Sequence, residues 1–198
     1  MEQARKRATY ADLLALPEDV RAEVIGGVVE ATPSPLPMHS RAQGALARSI
    51  GGPFDEDHGR GGPGGWWILA EVDVRLAEHD IVRPDVAGWK RERLPAPWDV
   101  RPIDVVPDWI CEIVSPSNAA HDRVTKANLY ARYAVPFYWL VDPAERVLEA
   151  FRLADGIWLR TGSYDDRAMA RVPPFEQVEL EVGLLFPPQP EPDPSTKR

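Results

Sequence analysis

The 198 residues are 44% hydrophobic with seven Trp and 27% charged, which suits one packed, soluble domain with a sizeable core. A formal charge of −8 argues against a protein that coats nucleic acid non-specifically, because such proteins are usually basic; it does not exclude an acidic site neutralised by metal. A single Cys excludes a disulfide framework, no apolar run approaches the ~18 residues of a membrane span, and MEQARKRATYADLL lacks the apolar core of a signal peptide, so a cytoplasmic protein with no membrane contact is expected.

In chain order, Thr9 is placed to cap a short helix through Leu16, and a second apolar-periodic piece from about Glu18 to Val24 reads as helical until Gly26-Gly27 breaks it. Val28 to Ala31 reads as a short strand, TPSPLP as an extended connector, and His39 to Ile50 as a helix with Ala42, Leu46 and Ile50 on one side. GGPFDEDHGRGGPGG has the composition of a mobile loop. The middle of the chain is strand-rich: Glu71 to Leu76 alternates, and Ile81 to Trp89 and Asp108 to Val114 follow, separated by a loop carrying Lys90, Arg91, Arg93 and Arg101. Residues from about 119 to 134 are expected to be helical, and Tyr138 to Val141, Val147 to Arg152 and Trp158 to Thr161 to be strands, with a turn at Asp142-Pro143. The order predicts an α/β or α+β domain over residues 1–186, a central mixed sheet flanked by helices, and a Pro-rich tail at 187–198 too polar to pack.

One stretch resists a purely structural reading. In PDWICEIVSPS, Glu112 interrupts an apolar strand and shares a face with Ile110 and Val114. A buried carboxylate without a partner costs several kcal/mol or takes up a proton, so either a cation matches Glu112 or the strand is exposed. A second acid, Asp85 in RPDVAGW, lies on the preceding strand; if the two strands pair, the carboxylates approach and need a shared proton or cation, and such oxygen ligation suits Mg²⁺ or Mn²⁺. On the following helix Lys126, Leu129, Tyr130 and Tyr133 share a face, and Lys126 lies one or two turns in, ~6–10 Å along the axis. Spacing alone leaves an alternative open: Asp85 capping a turn, Glu112 paired with Arg83 or Arg101, and Lys126 on the surface with Asp122 at i−4.

The wording goes further than the spacing. ALPEDVRAEVIGGVVEATPSPLPMHSRAQGALA, VRPDVAGW and PDWICEIVSPSNAAHDRVTKANLYARYAVPFYWLVDP, within a match from about Tyr10 to Phe186, resemble the Uma-two family of restriction-endonuclease-like proteins in the PD-(D/E)xK nuclease superfamily. The resemblance implies a restriction-endonuclease-like core and metal-dependent hydrolysis of phosphodiester bonds in nucleic acid, DNA first. Asp85 and Glu112, with the Ile113 carbonyl, would be the metal ligands. The position two after Glu112 is Val114 where the superfamily has Lys, and Lys126 on the helix looks like its replacement. Glu23 resembles the additional helix-borne acid of such nucleases, and His39 matches a family His with a helix-terminal role as its plainer explanation. Tyr130 is expected to pack, Ser115 and Ser117 to serve the turn around Pro116, and Asp122 to begin the helix or orient Lys126. The Lys90–Arg101 loop reads as a solvated charge run that could also meet phosphates. A homodimer through Trp66, Trp67, Trp98 or Trp158 is one possible assembly, and a nuclease-fold module that binds nucleic acid or protein without cutting is the rival reading.

Overall fold

The computed structural model describes residues 6–56, 62–116 and 119–189. Its centre is a six-stranded mixed sheet in the order β10-β9-β8-β7-β6-β3. The strands are β3 (Trp66–Ala70), β6 (Val86–Lys90), β7 (Trp109–Ile113), β8 (Phe137–Asp142), β9 (Val147–Ala154) and β10 (Ile157–Asp165). Only β7 and β8 run parallel; the remaining neighbours are antiparallel. The parallel pair needs a crossover, and the helical segment 119–132 supplies it. A smaller antiparallel sheet, β2-β1-β5-β4, packs beside it, built from β1 (Ala22–Ile25), β2 (Val28–Ala31), β4 (Val74–Ala77) and β5 (Asp80–Val82). A two-stranded ribbon of β11 (Met169–Ala170) and β12 (Leu180–Glu181) completes the strands. The mixed α+β architecture matches the sequence reading.

Strand β7 is buried along its whole length, and its period of two divides the core into two layers. Trp109, Cys111 and Ile113 point into one layer with Trp139, Phe175, Leu46 and Phe186. That layer is covered by helix α2 (Pro37–Leu46), which continues through a π-helical turn, Ala47–Gly51, into helix α3 (Gly52–Asp55). Ile110 and Val114 point into the other layer with Trp89, Leu129, Tyr130 and Tyr138, beneath helix α4 (Ala127–Arg132). Glu112 shares that second face, so α4 and the turn before it must deal with its charge.

Several sequence expectations are corrected. Glu18 to Val24 is not a helix: Ala22–Ile25 is a strand paired residue for residue with Val28–Ala31. Gly26 and Gly27 have φ of 61° and 83°, the left-handed pair that a two-residue hairpin needs and that L side chains resist. Glu23 is therefore strand-borne. Ile81 to Trp89 is two strands in two sheets, divided at Arg83-Pro84-Asp85, where Pro84 has no N–H to give a ladder. Trp66–Ala70 is a strand the sequence reading passed over. The first residues of GGPFDEDHGRGGPGG are helical, and 57–61 fall outside the described residues. The expected tail does so from 190 onward. The early helix is as predicted but shorter, α1 (Tyr10–Leu14), with the Asp12 carboxylate accepting the Thr9 N–H at 2.8 Å. Among the described residues no helix is long and apolar enough to cross a membrane.

The hairpin that carries Glu23 depends on Gly27, where an added Cβ would lie 2.7 Å from Arg7 Cβ as well as sit at positive φ. Gly27→Ala is expected to lower stability by about 1–2 kcal/mol in denaturant titration. A variant as stable as the wild type would contradict this account of the turn.

Candidate active site

The site forms where the two sheets meet. The chain leaves the small sheet at Val82 and enters the large one at Val86, and the three residues between them are all anchored. The Arg83 N–H donates to Glu23 Oε1 at 2.6 Å, tying the joint to β1. Glu71 N–H donates to the Pro84 carbonyl at 3.2 Å, and Gln43 Nε2 to the Asp85 carbonyl at 2.9 Å. The β6–β7 register pairs Val86 with Cys111, so Asp85 lies one step further along, opposite Glu112. Its Oδ2 accepts the Ile113 N–H at 2.6 Å and its Oδ1 lies 3.1 Å from His39 Nε2. Asp85 thus closes the end of the β6–β7 ladder with its side chain, and the first turn of α2 holds it from the other layer.

Glu112 is 2% exposed, and a cation does match it. Lys126 Nζ donates to Glu112 Oε1 at 3.1 Å, and the same oxygen accepts the Tyr130 hydroxyl at 2.5 Å. Lys126 Nζ also lies 3.1 Å from Glu23 Oε2, an ion pair outside hydrogen-bond geometry, so that oxygen is buried without a hydrogen bond. Lys126 comes from a π-helical turn, His121–Lys126, that leads into α4; such turns are rare and gather at functional sites. Asp122 from the same turn is buried too, and its backbone carbonyl accepts the Tyr138 hydroxyl at 3.0 Å. Glu23, Asp85, Glu112, Asp122 and Lys126 all line one cleft of about 310 Å³, together with His39, Arg21, Arg83 and the Pro-rich connector from Thr32 to Leu36.

Charges in this cleft are unevenly matched. Burial pushes the Glu112 carboxyl well above its ordinary range, with Asp85, Asp122 and Glu23 adding to the rise and Lys126 opposing it. Asp122 is raised to about 6, chiefly by burial. Asp85 goes the other way: burial would raise it, but His39, Lys126 and the Ile113 N–H together hold it below the usual carboxylate range. For Lys126, burial favours the neutral amine and is outweighed by Glu112, Glu23, Asp122 and Asp85, so its pKa is raised and the ammonium persists. The surrounding carboxylates thus favour the protonated, donating form of Lys126. The two arginines on the cleft wall have partners of their own: Arg21 pairs with Glu71 at 2.6 Å and Arg83 with Asp73 at 2.7 Å.

The four residues singled out from the sequence, Asp85, Glu112, Lys126 and Glu23, therefore come together, with Ile113 beside them. The alternative pairing of Glu112 with Arg83 or Arg101 is overturned, since both arginines bind Asp73. Tyr130 does more than pack, because it hydrogen-bonds Glu112; its place four residues after Lys126 on the same helical face was the available signal. Asp122 is a cleft carboxylate and not merely a helix-start residue. In the Lys90–Arg101 loop, Arg93 pairs with Asp108 at 2.7 Å and the Arg91 guanidinium lies 3.8 Å from the Trp67 ring centre. Trp66 is buried against Phe175 within the chain. Ser117 lies outside the described residues, and Ser115 lines the cleft. Among the described residues no group of three or more His, Cys, Asp or Glu is arranged so that it could by itself hold a metal ion.

Residues 8–183 match the Uma2 family, described as "Putative restriction endonuclease". No curated relative matches the chain in sequence. Among solved structures, one described as a putative nuclease belonging to DUF820 from Anabaena variabilis ATCC 29413 superposes with a TM-score of 0.70. It is 24% identical, and the match covers 89% of this chain and 96% of that one, a likeness of fold.

The raised Asp122 carboxyl gives a stability prediction. Its folded-state pKa, about 6, lies above the ordinary 3.8, so the folded protein binds the extra proton between those values and ionisation of Asp122 opposes folding at higher pH. Asp122→Asn is expected to raise the melting temperature at pH 8, by up to roughly 3 kcal/mol in stability, with the gain shrinking as pH falls through 6 toward 4. A gain independent of pH, or a loss at pH 8, would contradict the assignment. The family match spans residues 8–183, nearly all of the described fold, and on that ground the chain belongs to the Uma2 family.

Proposed function

We propose that the chain is a metal-dependent endonuclease that hydrolyses phosphodiester bonds in nucleic acid, with DNA as the first substrate to test. The observation that carries this reading is the convergence of four carboxylates around the Lys126 amine in one cleft. By stability alone such a cluster is hard to justify, because well-packed apolar residues of similar volume often do as well or better. Family membership supports the same reading.

The donor set fits Mg²⁺ or Mn²⁺. Mg²⁺ favours hard oxygen ligands and keeps several waters, so one or two carboxylates suffice and a full protein cage is not needed. Asp85, Glu112 and the Ile113 carbonyl are such a set, and the surplus of acids would be relieved by a divalent ion. When bound, that ion would polarise the phosphate and lower the pKa of a water. The chain's own residues do the rest. The Ile113 N–H and His39 fix the Asp85 carboxylate from both oxygens. Tyr130 and Lys126 hold Glu112 Oε1, and Glu23 holds Lys126 from the other side. Lys126 donates to the phosphoryl oxygens as negative charge builds on them and orients the attacking water.

The second reading is a module that binds nucleic acid or a partner protein without cutting. It is favoured by the −8 charge and by the engagement of Lys126 Nζ with both Glu112 and Glu23. Plasmid nicking and single-strand cleavage with Mg²⁺ or Mn²⁺ separate the two. The wild type is expected to cut, Asp85→Asn and Glu112→Gln to lose cleavage together with the Mn²⁺-induced rise in melting temperature, and Lys126→Met to lose about a hundred-fold or more in rate. Absence of both cleavage and a thermal shift at millimolar metal would favour the binding module, as would Asp85→Asn or Lys126→Met cutting like the wild type.

A further inference from the structure

Beside the cleft lies a second hollow, about 490 Å³, whose lining includes Trp98, Val100, Arg101 and Arg83 and two acids, Glu71 and Asp73, that pair with arginines. Trp98 is 62% exposed, and Val100 is 51% exposed next to it. Exposed Trp side chains are uncommon, and this one stands on a firm base. Its ring meets Trp67 edge to face, with centroids 4.8 Å apart at 72°. Trp67 is fixed in turn by its Nε1, which donates to the Leu94 carbonyl at 2.7 Å, and by the Arg91 guanidinium over its ring. Trp98 is thus supported from one side by an anchored ring while most of its surface is open to solvent.

Cations flank this platform. Arg101 has a side chain 67% exposed and is steadied by Nε donating to Asp73 Oδ2 at 3.0 Å. Arg83 lines both this hollow and the acidic cleft. The wall between the two is short: Arg21 of the cleft pairs with Glu71 of the hollow, and Gln43 bonds both Glu71 and the Asp85 carbonyl. A flat aromatic face beside an exposed guanidinium is the pairing that grips an unstacked nucleobase and its phosphate, and it does so with little regard to sequence because every base has a π-face.

We propose that this hollow is a nucleobase subsite: Trp98 stacks on an unpaired base of the substrate and Arg101 meets its phosphate, which favours single-stranded or locally opened nucleic acid over intact duplex. The inference rests on the nuclease reading for its choice of ligand but not on catalysis. It is tested by fluorescence anisotropy with a labelled dT12 strand, an abasic strand of equal length and a blunt duplex, all in Ca²⁺ without Mg²⁺, for the wild type, Trp98→Ala and Trp98→Phe. Trp98→Ala is expected to weaken dT12 binding about 5- to 100-fold, Trp98→Phe to keep most of it, and neither to alter binding of the abasic strand or the duplex. Equal binding of dT12 by wild type and Trp98→Ala would overturn the subsite while leaving the cleavage assays to decide the nuclease reading. So would a wild type that binds no strand, or sedimentation showing that Trp98→Ala dissociates a dimer, which would assign the Trp98 face to a second copy of the chain. Binding that depends on Trp98 in a protein that never cuts would keep the subsite and discard the endonuclease.

Discussion

The structure is organised around one electrostatic constraint: a carboxylate, Glu112, on the fully buried central strand of the large sheet. An isolated charge there would cost several kcal/mol or be neutralised by a proton. The chain answers it with a Lys and a Tyr on the helical crossover that the parallel β7–β8 pair requires. The same crossover is thus a topological necessity and the source of the compensating charge. Once the crossover packs on the Glu112 face, an amine at position 126 reaches that carboxylate.

The second sheet supplies the opposite wall. Its hairpin brings Glu23 to Lys126, and the three-residue joint from β5 to β6 places Asp85 at the end of the ladder, where its carboxylate takes the Ile113 N–H. Asp73 steadies the joint from behind, accepting from Tyr10 as well as from Arg83 and Arg101, which hold its carboxyl below the usual range despite burial. The joint is therefore held through hydrogen bonds on both sides, and the cleft acids are placed by backbone geometry rather than by long side chains.

Much of this was legible in the sequence because it depended on local rules. Alternation put Ile110, Glu112 and Val114 on one face, helical periodicity put Lys126 beside Tyr130, and consecutive strands did pair, bringing Asp85 opposite Glu112. What failed depended on tertiary context or overlooked turn chemistry. The Ala22–Ile25 segment is too short for periodicity to choose between helix and strand, and the signal that decides it, two glycines at positive φ, lies in the turn. The split of Ile81–Trp89 across two sheets was marked only by Pro84. The burial of Asp122 follows from how the crossover docks, which no window of sequence encodes. The charges of Arg83 and Arg101 looked available to Glu112 and are taken by Asp73, a competitor visible only in three dimensions.

The central claim is that the acids of β7 and of the β5–β6 joint form one divalent-cation site above the charged Lys. A crystal structure of the wild type soaked in Mn²⁺, with anomalous data collected at the manganese edge, addresses it most directly. The account predicts one strong peak in the cleft within ligating distance of the Asp85 and Glu112 carboxylates and the Ile113 carbonyl. A cleft with no peak at saturating Mn²⁺, or an ion bound elsewhere while Lys126 stays on Glu112, would contradict it.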